Sequence, residues 1–151
     1  MKTILITIVA VLLVGCGEPL YEASREGKTD EVKKLLAEGA NINSTTDYYS
    51  ETPLHFAAEN SQTEVVELLI DKGADLNAKA KWERTPLHGA AKTGNADIVK
   101  LLTEAGADPN QKDFENKTPL DEAIKAKATE TADLLRKHGG KTGEELKAAG
   151  N

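Results

Sequence analysis

Side chains that could do chemistry are few and scattered in this chain. It has one cysteine, Cys16, and three histidines, of which His55 and His88 lie in identical Thr-Pro-Leu-His segments while His138 stands alone. No two histidines have the helical spacing of metal ligands, no glycine-rich phosphate loop is present, and the serines lack the surroundings of a nucleophile. We therefore expect no catalytic residue, no metal site and no cofactor.

Cys16 stands directly after an apolar segment at the start of the chain. Residues 4–14 are apolar apart from one threonine and follow a positively charged start that contains Lys2. A helix of these eleven residues would span about 16 Å, roughly half of a bilayer's hydrocarbon core. The segment is therefore too short for a transmembrane helix and is typical of a signal peptide.

The four residues that end at this cysteine, Leu-Val-Gly-Cys, resemble the lipobox of bacterial lipoproteins. In that family the chain is cut between the residues matching Gly15 and Cys16, and the cysteine is acylated, which anchors the protein. The resemblance implies a cleaved signal peptide over residues 1–15, a lipidated N-terminus and short tether over residues 16–19, and a place in the cell envelope. Glycine at position 17 favours the outer membrane, where the organism has one. The alternative is a secretory peptide with an incidental cysteine.

Charge and aromatic content narrow the choice of partner. The chain has 19 basic against 25 acidic residues, a net charge of −6, whereas binding to a phosphate backbone needs clustered lysine and arginine. We therefore expect no nucleic-acid partner. Aromatic residues make up only 4% of the chain, so their positions carry information.

A segment of Thr-Pro-Leu followed by His or Asp recurs every 33 residues, at residues 52–55, 85–88 and 118–121. A glycine follows each of these leucines after 19 residues, and an upstream unit that begins at Leu20 fits the same frame with one extra residue. The Thr-Pro pair is typical of a helix start, and the recurring leucines and valines form a stripe at helical spacing that we expect to be buried.

This pattern resembles ankyrin repeats in both spacing and residue type. The resemblance implies an all-α solenoid of four stacked repeats, each a helix-turn-helix with a β-hairpin finger, capped at both ends, over residues 20–140. We place the repeats at residues 20–51, 52–84, 85–117 and 118–140 and a C-terminal capping tail at 141–151. In that tail Thr142 and Glu145 have the spacing of a capping box.

The turn between the two helices of each repeat has a glycine in the first and third units, Gly27 and Gly94. The second and fourth units have Ser61 and Lys127 there instead. If this position requires a positive φ, the two non-glycine residues are strained by about 1 kcal/mol each.

Proteins with ankyrin repeats usually bind through the fingertips and the inward faces of the first helices, and four of the six aromatic residues fall at the predicted fingertips. We expect Tyr49 to stack in a row with Trp82, and Tyr48 with Phe114, as contact residues. The alternative is that each ring only packs on its neighbouring finger. The candidate partner-binding residues are Tyr48, Tyr49, Phe56, Glu59, Lys81, Trp82, Arg84, Lys92, Phe114, Lys117 and Lys125.

Several of these candidates are basic on an acidic chain. The pattern predicts a partner protein with an acidic face, bound by a monomer, and an association that slows as salt rises. A solvated helix face explains any single charge equally well. The function predicted is a membrane-anchored interaction module of the bacterial cell envelope. Alternatives are an immunity-type protein that occludes a toxin or enzyme, and a structural spacer or assembly factor.

Overall fold

A computed structural model describes residues 18–150, so the predicted lipobox and Cys16 lie outside the described residues. Four helix pairs and one final short helix make up this region. The helices are α1 Glu18–Glu26, α2 Thr29–Ala37, α3 Pro53–Glu59, α4 Thr63–Asp71, α5 Pro86–Thr93, α6 Ala96–Glu104, α7 Pro119–Lys125, α8 Thr129–Lys137 and α9 Gly143–Ala148. None of the helices in residues 18–150 is long and apolar enough to cross a membrane.

The first helices of successive pairs pack on one another in the order α1, α3, α5, α7, and the second helices do so in the order α2, α4, α6, α8. The predicted stripe of leucines and valines lies at the centre of this stack, where Val66, Leu69, Val99 and Leu102 are fully buried, while the other leucine of each pair is partly buried. Paired alanines such as Ala90 and Ala91 are also fully buried and let neighbouring helices approach closely. The two layers therefore form one continuous core.

A threonine and a histidine join the first helix of each middle unit to the finger that ends the same unit. The Thr52 backbone N–H donates to His55 Nδ1 at 3.2 Å, and the Thr52 hydroxyl lies 2.9 Å from the same nitrogen. Because Nδ1 accepts, the ring proton belongs on Nε2, which lies 3.1 Å from the carbonyl oxygen of Arg84 and donates to it. His88 repeats the arrangement with Thr85 and with the carbonyl oxygen of Lys117, at 3.2 Å. Each neutral imidazole therefore caps its own helix and holds the end of its own unit's finger, from which the chain enters the next unit.

The fourth unit has an aspartate in place of this histidine. Asp121 Oδ2 accepts from the Thr118 backbone N–H at 2.9 Å and from the Gly143 backbone N–H at 2.8 Å. The segment after the fourth helix pair presents a backbone N–H to this position rather than a carbonyl oxygen, so a side chain that accepts a hydrogen bond is favoured here. The predicted capping box of Thr142 and Glu145 is present at the start of α9, where it stabilises the helix that follows the fourth pair.

The fingers are loops that follow the second helix of a pair, over residues 44–51, 77–84 and 110–117. The prediction of β-hairpins was wrong, because residues 18–150 contain no assigned strand. The Ala80 backbone N–H donates to the carbonyl oxygen of Arg84 at 2.8 Å, and the Asp113 backbone N–H donates to that of Lys117 at 2.8 Å. Each of these hydrogen bonds closes a tight turn. Too few residues flank each turn to form a ladder of strand pairs.

An asparagine in each of the first three units links the base of its finger to the segment that follows the next helix pair. Its side-chain oxygen accepts a backbone N–H of that segment at 2.8–2.9 Å. The donor and acceptor pairs are Asp75 to Asn43, Asp108 to Asn77 and Lys141 to Asn110. These bonds supplement the histidine links and fix the spacing of successive units.

The turn between paired helices confirms the strain expected from the sequence. Gly27 and Gly94 have φ of 73°, and Ser61 and Lys127 adopt the same left-handed region at 58° and 57°. We predict that Ser61→Gly raises the free energy of unfolding by about 1 kcal/mol, measured by urea denaturation, because it removes this strain.

The matched control is Ser44→Gly, whose φ is not positive. It should leave the stability unchanged or lower it, because glycine there only adds freedom to the unfolded chain. A gain of equal size from both substitutions would contradict the explanation by backbone strain.

The histidine links make stability depend on pH. Burial lowers the pKa of His55 and of His88 below the ordinary value near 6.5. Near and below pH 6.5 these two histidines bind protons more readily in the unfolded chain than in the folded chain. The free energy of unfolding should therefore fall as pH drops from 7.5 to 5.5. The slope should not exceed about 1.4 kcal/mol per pH unit for each histidine, as measured by urea denaturation.

A His55→Asn/His88→Asn variant provides the control, because the asparagine oxygen can still accept the threonine N–H while the titrating group is gone. It should be less stable at pH 7.5 and lack most of the pH dependence. An unchanged pH profile in this variant would show that other groups cause it.

Candidate partner-binding groove

Three exposed aromatic rings cluster at the tips of the first two fingers. The exposed fractions are 70% for Tyr48, 44% for Tyr49 and 50% for Trp82. The Tyr48 and Tyr49 rings meet edge to face with centroids 4.7 Å apart, and the Tyr49 and Trp82 centroids lie 6.2 Å apart. The predicted contact between Tyr49 and Trp82 is therefore present, and the rings still present much of their surface to solvent.

Lys81 lies among these rings. Its ammonium nitrogen is 3.8 Å from the Tyr48 ring centroid, 5.2 Å from that of Tyr49 and 5.1 Å from that of Trp82. These distances fall within the range of cation–π attraction. The lysine thus joins the tips of two fingers and adds a positive charge to an aromatic surface.

The backbone holds this cluster in place at a cost. The Lys81 N–H donates to the carbonyl oxygen of Tyr49 at 2.7 Å, and the Phe114 N–H donates to that of Trp82 at 3.0 Å, so adjacent fingers are linked tip to tip. Trp82 and Glu83 both have φ of 62°. The left-handed region is unfavourable for bulky residues by about 1 kcal/mol each. Strain of this kind is common where a side chain is presented for binding.

A groove of about 210 Å³ lies between the first two fingers and the helices α3 and α5. We refer to it as the central groove. Six of the candidate residues line it, although they come from two fingers and two helices. They are Tyr49, Glu59, Lys81, Trp82, Arg84 and Lys92. The fold therefore brings together residues that are up to 43 positions apart in the chain (49 to 92).

Glu51, His55 and Gly89 also line the central groove, and sequence reasoning did not assign them to the site. Gly89 lies inside α5, at the position that carries Phe56 in the second unit and Glu122 in the fourth. Glycine inside a helix costs roughly 0.5–1 kcal/mol relative to alanine. A Cβ added at Gly89 would already lie 3.4 Å from the Cβ of Glu59, so the missing side chain lets α5 lie close to α3 and keeps the groove open there. This exception to the repeat pattern is the sequence signal that could have identified the residue.

The charges of the central groove are mixed. Lys92 Nζ lies 3.5 Å from Glu59 Oε1, which is a partly exposed ion pair. Burial, with the like charge of Glu59, raises the pKa of Glu51, and the nearby Arg84 opposes this shift. His55 is neutral because its Nδ1 accepts from Thr52. Positive charge therefore comes mainly from the remaining cations, Lys81 and Arg84, for which no carboxylate partner is recorded within the described residues.

The remaining candidates lie outside the central groove. Phe56 packs against Tyr21 with ring centroids 4.6 Å apart. Lys117 is paired with Glu115 at 2.6 Å, and Lys125 is exposed on α7.

Phe114 is 63% exposed on the third finger, and its recorded link to the second finger is through the backbone alone. Within the described residues Phe114 and Tyr48 make no direct ring contact, because they lie on the third and the first finger and Lys81 occupies the equivalent position on the finger between them. Within residues 18–150, no group of three His, Cys, Asp or Glu side chains is placed to hold a metal ion.

Two protein-family models, both of ankyrin repeats, match residues 5–80 and residues 69–123. GA-binding protein subunit beta-2 of Mus musculus is 49% identical over 47 residues, which are 31% of this chain and 11% of that protein. GA-binding protein subunit beta-1 of Homo sapiens shows the same identity over 47 residues. Ankyrin repeat and KH domain-containing protein 1 of Homo sapiens is 58% identical over 33 residues, 22% of this chain and 1% of that protein.

The matched segment spans about a tenth of the length of the GA-binding protein subunits. Ankyrin repeats mediate binding to other proteins, and proteins built from them are typically not enzymes. With an ankyrin-repeat model matched over half of its length and helix pairs stacked in that manner, this chain belongs to the ankyrin-repeat family.

Proposed function

We propose that the chain is an envelope-tethered interaction module that binds a partner protein in the central groove. The observation that carries this proposal is the convergence of six candidate residues, two of them exposed aromatic side chains, on one groove. Exposed aromatic residues beside a groove are typical of binding hot spots. The strained φ of Trp82 and the helical Gly89 lower stability locally and are explained by a need to keep the groove open.

The same proposal includes four ankyrin repeats with polar ends. The four helix pairs support this number, and α9 supports a C-terminal cap because its Leu146 is buried. Terminal units of a solenoid need a polar outer face because no neighbour covers them.

We further propose that lipidation of Cys16 holds the module at a membrane of the bacterial cell envelope. Leu20, a fully buried residue of the first unit, lies only four positions after Cys16 in the sequence. A tether this short would keep the repeats at the membrane surface. The partner would then be membrane-bound or able to approach the membrane closely.

Affinity capture with the full chain in mild detergent tests the groove. We expect Trp82→Ala and Tyr49→Ala to weaken capture of a specific partner by roughly 30-fold each, as for hot-spot residues. Phe114→Ala is the matched control, because this fingertip ring is more exposed than either groove ring but lies outside the central groove. It should leave binding nearly unchanged.

Capture that is insensitive to both groove substitutions, or the absence of any specific partner, would rule out this site. An activity assay on a captured partner would then distinguish a module that recruits from one that inhibits.

Metabolic labelling with palmitate in a bacterial host tests the anchor. Cys16→Ser should abolish the label and move the protein from the membrane to the soluble fraction. Gly17→Asp is the control and should keep the label, because the acceptor sulfur is retained. Equal labelling of the Cys16→Ser variant would exclude this anchor.

A further inference from the structure

Arg84 has an unmet hydrogen-bonding requirement beside the central groove. Its Nη2 atom is buried and has no hydrogen-bond partner among the described residues. A buried donor without a partner destabilises the fold, more so when it is charged. The Arg84 side chain as a whole is only partly buried and lines the groove, so a small rotation suffices to offer its donors to a bound molecule.

The side chains around Arg84 leave this requirement unmet. Glu59 is paired with Lys92 across the groove. Glu51 is partly buried, which raises its pKa, and although the charge of Arg84 opposes that shift the two side chains form no ion pair. Glu83, the residue before Arg84, is paired with Lys79 at 2.7 Å instead. Within the described residues, none of these three carboxylates is therefore paired with Arg84.

Local charge in the groove is opposite to that of the whole chain. The lining includes Lys81, Arg84 and Lys92 against two carboxylates, a surplus of one positive charge (3 − 2) on a chain of net charge −6. Oppositely charged ligands are attracted to such a concave patch, whereas basic ligands are attracted to the rest of the surface. A second copy of this chain would place its own excess negative charge against the same acidic surface.

We propose that the central groove binds an acidic peptide segment of the partner and that Arg84 anchors one of its carboxylates. This inference rests on the proposed function. A carboxylate matches the planar guanidinium fork and can accept two of its N–H bonds. Lys81 stands beside it as a second positive charge. The exposed faces of Trp82 and Tyr49 contact the apolar stem of a glutamate, and Gly89 leaves space for the peptide backbone.

Titration with synthetic hexaglutamate tests this inference. Trp82 is the single tryptophan of the chain and lines the groove, so its fluorescence reports occupancy directly. We expect a saturable change with hexaglutamate, none with hexaglutamine, and weaker binding as salt rises. Arg84→Gln should weaken binding by about tenfold or more, the effect of losing one charged anchor.

The matched control is Arg136→Gln, whose arginine faces Glu145 outside the central groove. It has the same change of charge and should bind hexaglutamate as the original chain does. Calorimetric titration provides a second readout that does not depend on Trp82.

Equal binding of hexaglutamate and hexaglutamine, no binding of hexaglutamate, or equal losses in both arginine variants would each overturn the inference. The inference would also be overturned if the original chain self-associated in sedimentation experiments and Arg84→Gln abolished that association, because a second copy would then occupy the groove. Capture of a partner that still depends on Trp82 would meanwhile leave the proposed function standing. The two failures are therefore distinguishable.

Discussion

A neutral imidazole that joins a helix start to the finger of its own unit is the contact on which the rest of this structure depends. His55 accepts from Thr52 within its own helix start and donates to the carbonyl oxygen of Arg84 at the end of the finger. That carbonyl belongs to the residue whose side chain lines the central groove, so one ring fixes both the path of the chain into the next unit and the position of the candidate anchor. A protonated ring would lose the acceptor at Nδ1, and with it the helix cap.

Sequence periodicity predicted the helix pairs and their buried leucines because every unit repeats the same requirement for burial. It also predicted the left-handed turns at Ser61 and Lys127, since glycine occupies the equivalent positions elsewhere. It did not predict the groove, which depends on how one unit lies against the next and on the side chain missing at Gly89. The β-hairpins were predicted by family resemblance, but these fingers close in a single turn and have no room for strands.

Stability and strain are distributed unevenly over the described units. The core positions repeat with little variation and are almost wholly inaccessible to water, as at Val66 and Val99. Left-handed φ at non-glycine residues recurs in the three fingers, at Ser50, Glu83 and Asn116, and in the turns between paired helices, whereas the positive φ of Trp82, at the groove, has no counterpart in the other fingers. A regular core of this kind can offset a few kcal/mol of local strain, because each unit is supported by neighbours on both sides. The middle of the stack is therefore the place where an unfavourable loop is best tolerated.

The aspartate at position 121 has a consequence for how such a chain can change in length. Duplication of a middle unit would reproduce a histidine that donates to a carbonyl of the finger that ends its own unit, so internal copies are self-consistent. A unit inserted after the fourth would instead place a carbonyl against the Asp121 carboxylate, where two acceptors repel. Additional units are thus favoured in the interior of the array and disfavoured directly after the fourth unit, because of the carboxylate at position 121.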